Sequence, residues 1–358
     1  MPNLMLRDRD AIVTSEGLIF RVLGYSHPPN AYICDAEYAP ENHFRSSNPK
    51  APRTKDQHNF YKFYEDEAWK FLKDNFPKYL IYHDMIRRKI IGVNQNDMTE
   101  TRKPDEELAR LIKTKPKDEL LAALQDVVKF VTQQANLPTE AFGIFGSILH
   151  GFYHQQYSDL DFIIYGRPNT LRLRKTLKEL YSDSSSMFKN EFENDEPIRG
   201  KRWRFKNLSP KEFVWHQRRK LIYSLFKSQR TGRIIKTEFE PVKQWNEIIN
   251  EYDTKARISQ KGWVKMLARV IRDDDGPFMP STYDIKPSKI IQGAKSAGDV
   301  TRVVSYMEEF RMQACKDETV YVEGNLEEVE TPNESFAQVS LTYCPRYYEQ
   351  VLKVSTHT

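Results

Sequence analysis

Two short apolar runs, Phe142–Phe145 and Leu160–Tyr165, enclose a segment that opens with Gly146-Ser147 and closes with Ser158-Asp159. No other stretch of the chain constrains the fold as tightly. The first run reads as a strand stopped by glycine, Ser147–Tyr153 as a short helix, and the second run as a strand. A glycine at a strand-to-helix turn lets another group approach the backbone, and the helix start offers unpaired N–H groups suited to phosphate. Asp159 and Asp161 are two apart at the start of the second strand, so they project to one face while Leu160, Phe162 and Ile164 point into the core. Two carboxylates so placed are hard oxygen donors for divalent ions beside phosphates on the Gly146-Ser147 turn.

The rest of the chain must supply the frame. At 358 residues it is long enough for two or three domains, and its 39% hydrophobic and 29% charged content excludes a mainly disordered protein. Cys34, Cys315 and Cys344 are scattered, which argues against a disulfide framework or a zinc site and for a reducing, cytoplasmic setting. No apolar stretch reaches membrane-spanning length, and Arg7-Asp8-Arg9-Asp10 precedes any apolar run, unlike a signal peptide. The expectation is a soluble protein without a membrane partner.

Three regions are expected: an N-terminal α+β region over 1–95, a core over 96–245 and a β-rich domain over 246–358. In the first, Ala11–Thr14, Leu18–Tyr25 and Ala31–Tyr38 read as strands, Arg45–Gln57 as a polar connection and Asn59–Asp74 as a helix. In the core, Pro104-Asp105 opens a helix, Lys117–Ala135 carries the clearest helical stripe, and Asn169 or Thr170 caps a basic helix ending near Tyr181. Ser209-Pro210 starts another helix, and Lys220–Lys227 and Arg233–Glu240 read as strands. In the last region, Val264–Ile271, Thr301–Tyr306, Thr319–Leu326 and Phe336–Thr342 suggest a compact antiparallel sheet or small barrel. An oligonucleotide-binding barrel is one of several such barrels that alternation alone leaves open.

Charge is unevenly spread. Residues 166–236 hold 19 Lys/Arg against 7 Asp/Glu, whereas 301–358 hold 5 against 10. Within the basic tract, Lys201-Arg202-Trp203-Arg204-Phe205-Lys206 interleaves cations with aromatic rings, a pattern suited to RNA or single-stranded nucleic acid. The same pattern also fits buried rings with solvated cations.

The run Gly146-Ser-Ile-Leu-His-Gly to Ser158-Asp-Leu-Asp-Phe-Ile-Ile-Tyr-Gly166 resembles the catalytic signature of the polymerase-beta-type nucleotidyltransferase superfamily. With Glu16–Pro29, it is similar to a group of archaeal nucleotidyltransferase-domain proteins of undefined substrate. The resemblance implies an α+β fold with a mixed sheet. It implies an enzyme that moves a nucleoside monophosphate from a nucleoside triphosphate to an acceptor and releases pyrophosphate. It also implies two magnesium ions held by Asp159, Asp161 and a third carboxylate, with the nucleotide oriented by Gly146 and Ser147. For the third carboxylate, alternation in Gly232–Pro241 puts Lys236, Glu238 and Glu240 on one face. Glu238 is the first choice and Glu240 the second, although a glutamate departs from the superfamily's more usual aspartate. The short helix lacks the arginine of many small nucleotidyltransferases, which leaves the triphosphate to cations elsewhere, and His150 reads as a packing residue. A nucleic-acid-binding protein that keeps the fold without turnover is the alternative.

Overall fold

The computed structural model describes residues 5–55 and 57–355. The chain divides into two compact units. One runs up to His83 and includes Arg87–Thr176 and Phe226–Tyr252; the other holds Asp84–Ile86, Leu177–Leu225 and the chain from Asp253 on.

In the first unit, β1 (Ala11–Thr14), β2 (Ile19–Val22) and β3 (Ala31–Pro40) form the expected meander. The polar stretch contains β4 (Pro52–Lys55), which pairs with β5 (His58–Lys62) where a helix was expected from Asn59. Phe60 and Lys62 alternate at a period of two and pair back onto β3. Glu65, with φ of 52°, breaks the chain before α1 (Glu67–Asn75) begins. Next come β6 (Leu80–His83), β7 (Arg88–Asn94) and β8 (Met98–Arg102). The strands form an eight-stranded sheet in the order β4-β5-β3-β2-β1-β8, with β7 on β3 and β6 on β7. One face packs Phe20, Cys34, Phe63, Phe71, Leu72 and Tyr79 into a core with α1.

Two helices lead from that sheet towards the site. Pro104 starts α2 (Pro104–Lys113). Asp118 caps α3 (Glu119–Ala135), accepting from the N–H groups of Leu120 and Leu121 at 3.0 Å each, a cap worth about 1 kcal/mol. The stripe Leu120, Leu121, Leu124, Val127, Val128 and Val131 is buried. β9 (Phe142–Ile144) and β10 (Leu160–Tyr165) follow with nearly the expected bounds, whereas α4 (Gly146–His150) stops short of the expected Tyr153 because Gly151 takes a left-handed angle. α5 (Arg167–Ser182) starts directly after Gly166 rather than at a cap on Asn169 or Thr170. Those side chains instead turn back onto the Tyr165 and Gly166 carbonyls, at 2.8 Å each.

After β11 (Phe188–Asn190), Ser209 and Glu212 form a capping box on α6 (Pro210–Lys220). Lys220 thus belongs to the helix, and the next strand, β12 (Tyr223–Lys227), starts after it. β13 (Ile234–Val242) lies parallel to β10, which is antiparallel to β9.

The second unit is built around a barrel-like sheet of β14 (Arg257–Asp275), β15 (Ser281–Gln292), β16 (Val300–Ser305), β17 (Thr319–Glu330) and β18 (Ser335–Leu341). Pairing runs β14-β15-β16-β18-β17 and returns to β14, with β16 and β18 parallel. That connectivity, with third and fifth strands parallel, is the oligonucleotide-binding type among the small barrels. The parallel pair departs from the antiparallel sheet that was one of the two arrangements expected, the other being a small barrel. β19 (Val351–Val354) adds to β17. Residues 201–206 are irregular, and Trp203, Phe205 and Phe213 pack with Leu208 against the barrel core. Among the described residues no helix is long and apolar enough to cross a membrane.

Leu208 is 1% exposed and closes that core from outside the barrel strands. Leu208→Ala is expected to lower stability by about 2–5 kcal/mol in denaturant unfolding, whereas a surface-like loss under ~0.5 kcal/mol would contradict the packing.

Candidate active site

The site begins where β9 ends. The Phe145 N–H donates to the Asp161 carbonyl at 2.9 Å, which ties the turn to β10. Gly146 then takes φ of +63°, and a Cβ there would collide with Asp161 Oδ2 and lie 3.3 Å from its Cγ. Both the backbone angle and the neighbouring carboxylate therefore require glycine. Phe145 gives α4 no side-chain cap, so its first N–H groups have no acceptor of that kind at the cap position.

The loop from α4 back to β10 is pinned by Arg233, which donates to the Gln155 carbonyl at 2.6 Å and the Ser158 carbonyl at 2.8 Å. Asp159, at its end, is exposed, and Asp161 is half-buried. Leu160, Phe162 and Ile164 are fully buried, and Phe162 stacks on Phe239 at 5.4 Å between ring centres.

β13 brings further carboxylates alongside. Asp161 is in register with Glu238, and paired residues of parallel strands share a face. Ile235, Thr237 and Phe239 are buried on the opposite face, as alternation predicts. The two glutamates differ in their partners: Lys236 Nζ lies 2.6 Å from Glu238 Oε1, and Arg9 Nη2 lies 2.6 Å from Glu240 Oε2 in a buried pair. Arg9, near the N-terminus, was missed in the sequence, where no spacing links it to a strand 230 residues on.

Desolvation lifts the Asp161 carboxyl well above its usual range, and Glu238, Asp159 and Glu240 push the same way against Lys236. Partial desolvation also raises Asp159, opposed by Lys236 and Arg233. Carboxylate oxygen of this kind is the donor that a hard divalent ion such as magnesium prefers, and Asp159 and Asp161 could supply it. Among the described residues no three such side chains are gathered closely enough to hold an ion as they stand.

The remaining candidates are placed apart in role. His150 is 1% exposed, edge-on to Tyr38, with Arg102 Nη1 at 3.2 Å from Nδ1. Burial pulls it below its usual range, Arg102 and Lys55 adding to the fall and Glu37 opposing it. In the other unit, Trp203 and Phe205 are turned into the core. Arg204 sits over the Tyr348 ring at 4.0 Å and Lys206 pairs with Glu349 at 2.9 Å, while Lys201 and Arg202 are exposed.

Residues 124–227, which include α4, β10 and both aspartates, match the nucleotidyltransferase domain. The chain is also 26% identical over 344 residues to the uncharacterized protein MJ1086 of Methanocaldococcus jannaschii, covering 91% of this chain and 92% of that one. No solved structure matches it significantly. A nucleotidyltransferase domain in a mixed α+β chain with an archaeal relative is thus present, as the sequence resemblance implied.

A carboxyl raised in the folded state makes the metal-free protein lose stability as pH climbs from the unfolded value, about 3.9, through the folded one. Asp161→Asn removes that loss. The variant is expected to melt a few degrees above wild type at pH 7–8 without metal, the gap closing towards pH 4. An equal or lower melting temperature at pH 8 would contradict the charge crowding.

Proposed function

We propose that the protein is a metal-dependent nucleotidyltransferase. The observation that carries the reading is Asp161 set against the side-chain-free Gly146 turn, with Asp159 two residues before it and Glu238 in register beside it. The acceptor's hydroxyl oxygen bonds to the α-phosphorus of a nucleoside triphosphate as the α–β bridging bond breaks. Pyrophosphate leaves and the acceptor's proton passes to water. Asp159 and Asp161 would hold magnesium, which would neutralise phosphate charge and acidify the attacking hydroxyl. Two ions are proposed, and Glu238, ion-paired with Lys236 here, would be the third ligand.

The chain's own residues do the positioning. Gly146 keeps the space over Asp161 open, and the N–H groups of Gly146 and Ser147 orient the β and γ phosphates. Arg9 holds Glu240 in a buried pair, leaving Glu238 as the nearer carboxylate in register with Asp161. For the acceptor we propose RNA. Lys201 and Arg202 contact its phosphates from exposed positions, with Arg204 and Lys206 contributing from their places beside Tyr348 and Glu349.

A second reading, nucleic-acid binding without turnover, is favoured by the close Lys236–Glu238 pair. The test is incubation with magnesium, each α-labelled nucleoside triphosphate, and cellular RNA, protein and metabolite fractions. Label should enter the RNA fraction, and Asp159→Asn and Asp161→Asn should each reduce it on the order of 10²–10³-fold. Nucleotide binding without label transfer would favour the second reading, and undiminished transfer in both variants would refute the site.

A further inference from the structure

A nucleoside triphosphate brings several negative charges into a site already crowded with carboxylates, and α4 offers no cation to meet them. Its sequence is Gly-Ser-Ile-Leu-His, and burial favours the neutral form of His150. The cations stand on the first unit's large sheet. The face opposite its α1 core clusters Ile19 and Tyr38, with Phe60 packed alongside, against Leu149 and Phe152, which flank the end of α4. Phe60 meets Phe152 at 4.8 Å between ring centres, so the β4–β5 hairpin lies directly on the chain leaving α4. A bulge in β3, between the Ile19–Tyr38 and Phe20–Ala36 pairs, brings Glu37 to that face as well. Its Oε2 lies 3.5 Å from His150 Nε2.

The cations on this face fall into two groups. Arg21 pairs with Asp35 at 2.9 Å and with Glu37 at 3.7 Å, and Arg102 pairs with Glu100 at 2.7 Å. Arg53, Lys55 and Lys62 share the face by register, opposite Phe60, His58 and Tyr38 in turn. Among the described residues none of these three forms an ion pair with a carboxylate. Arg53 donates to the Lys50 and Pro52 carbonyls of its own hairpin, at 2.7 and 2.9 Å. Lys55 reaches along α4's end, its Cε 3.3 Å from where a Gly151 Cβ would stand. The link to the carboxylates runs through Tyr38. Burial lifts its phenol above the usual range, Glu37 and Asp161 add to the rise, and Arg53 opposes it. One ring therefore lies within electrostatic reach of both Asp161 and the hairpin.

We infer that the β4–β5 hairpin is the polyphosphate grip of the site, with Arg53, Lys55 and Lys62 binding the β and γ phosphates of the nucleotide. The inference rests on the nucleotidyltransferase reading and adds a binding element outside residues 124–227, the matched domain. The arrangement has a physical logic. Cations on a separate sheet neutralise the phosphates without pairing to the carboxylates that must remain open for magnesium.

The experiment is calorimetric titration of the full chain with inorganic tripolyphosphate and with each nucleoside triphosphate, in magnesium. Lys55→Gln, Lys62→Gln and Arg53→Gln should each weaken both kinds of ligand about tenfold, and Lys62→Arg should keep most of the affinity. The double change Lys55→Gln/Lys62→Gln should cost about 10²-fold while leaving the melting temperature near wild type. If the double change or Arg53→Gln proves misfolded, the remaining single changes at the hairpin carry the comparison. Wild-type binding that all hairpin variants retain would overturn the grip and leave the nucleotidyltransferase reading standing. A wild type that binds neither tripolyphosphate nor any nucleotide would overturn both.

Discussion

The close approach of Asp161 to Gly146 governs the rest of the site. A carboxylate in contact with backbone is possible only because position 146 has no side chain and takes a left-handed angle. The same turn is held by the Phe145 N–H bonded to the Asp161 carbonyl, so backbone and side chain of one residue fix both ends of the geometry. From there β10 carries its apolar side chains inward and β13 follows in register, setting Glu238 beside Asp161. The resulting charge density is unfavourable for the protein alone, which is why burial and the neighbouring carboxylates lift Asp161 above its usual range.

The large sheet of the first unit acts on this centre from two directions. Its inner face makes a conventional apolar core with α1, while its other face combines a small aromatic cluster with ordered charge beside α4. Arg9, on the approach to β1, reaches Glu240 on β13, so the N-terminal segment takes part in sorting the carboxylates as well as in packing. The barrel of the second unit has its own core, completed by Trp203, Phe205 and Leu208 from a segment distant in sequence. That segment's alternation of cations and rings serves the core first, because burying two large aromatic side chains outweighs holding them open for a ligand.

Local pattern made much of this legible. β10 has the bounds expected from its apolar run, α3 follows its stripe to Ala135, and Gly146 forms the strand-to-helix turn with Asp161 beside it. What escaped were features without a local signature. β4 and β5 are short and charged, and their aromatic residues also fit a helical spacing that a partner strand overrides. β15 was missed because Lys286, Pro287, Ser288 and Lys289 interrupt its apolar alternation on an exposed stretch. The Arg9–Glu240 pair and the Glu37 bulge are products of tertiary contact and strand register, which a single sequence does not encode at readable spacing.

The central claim is that Asp159 and Asp161 bind a divalent ion beside the Gly146 turn when nucleotide is present. Crystals grown with manganese and a non-hydrolysable nucleoside triphosphate test it directly through anomalous scattering. The account predicts a manganese peak at both aspartate carboxylates, bridged to the phosphates, and its absence in Asp161→Asn. A nucleotide bound with no ion at either aspartate, or an ion held by other side chains, would contradict it.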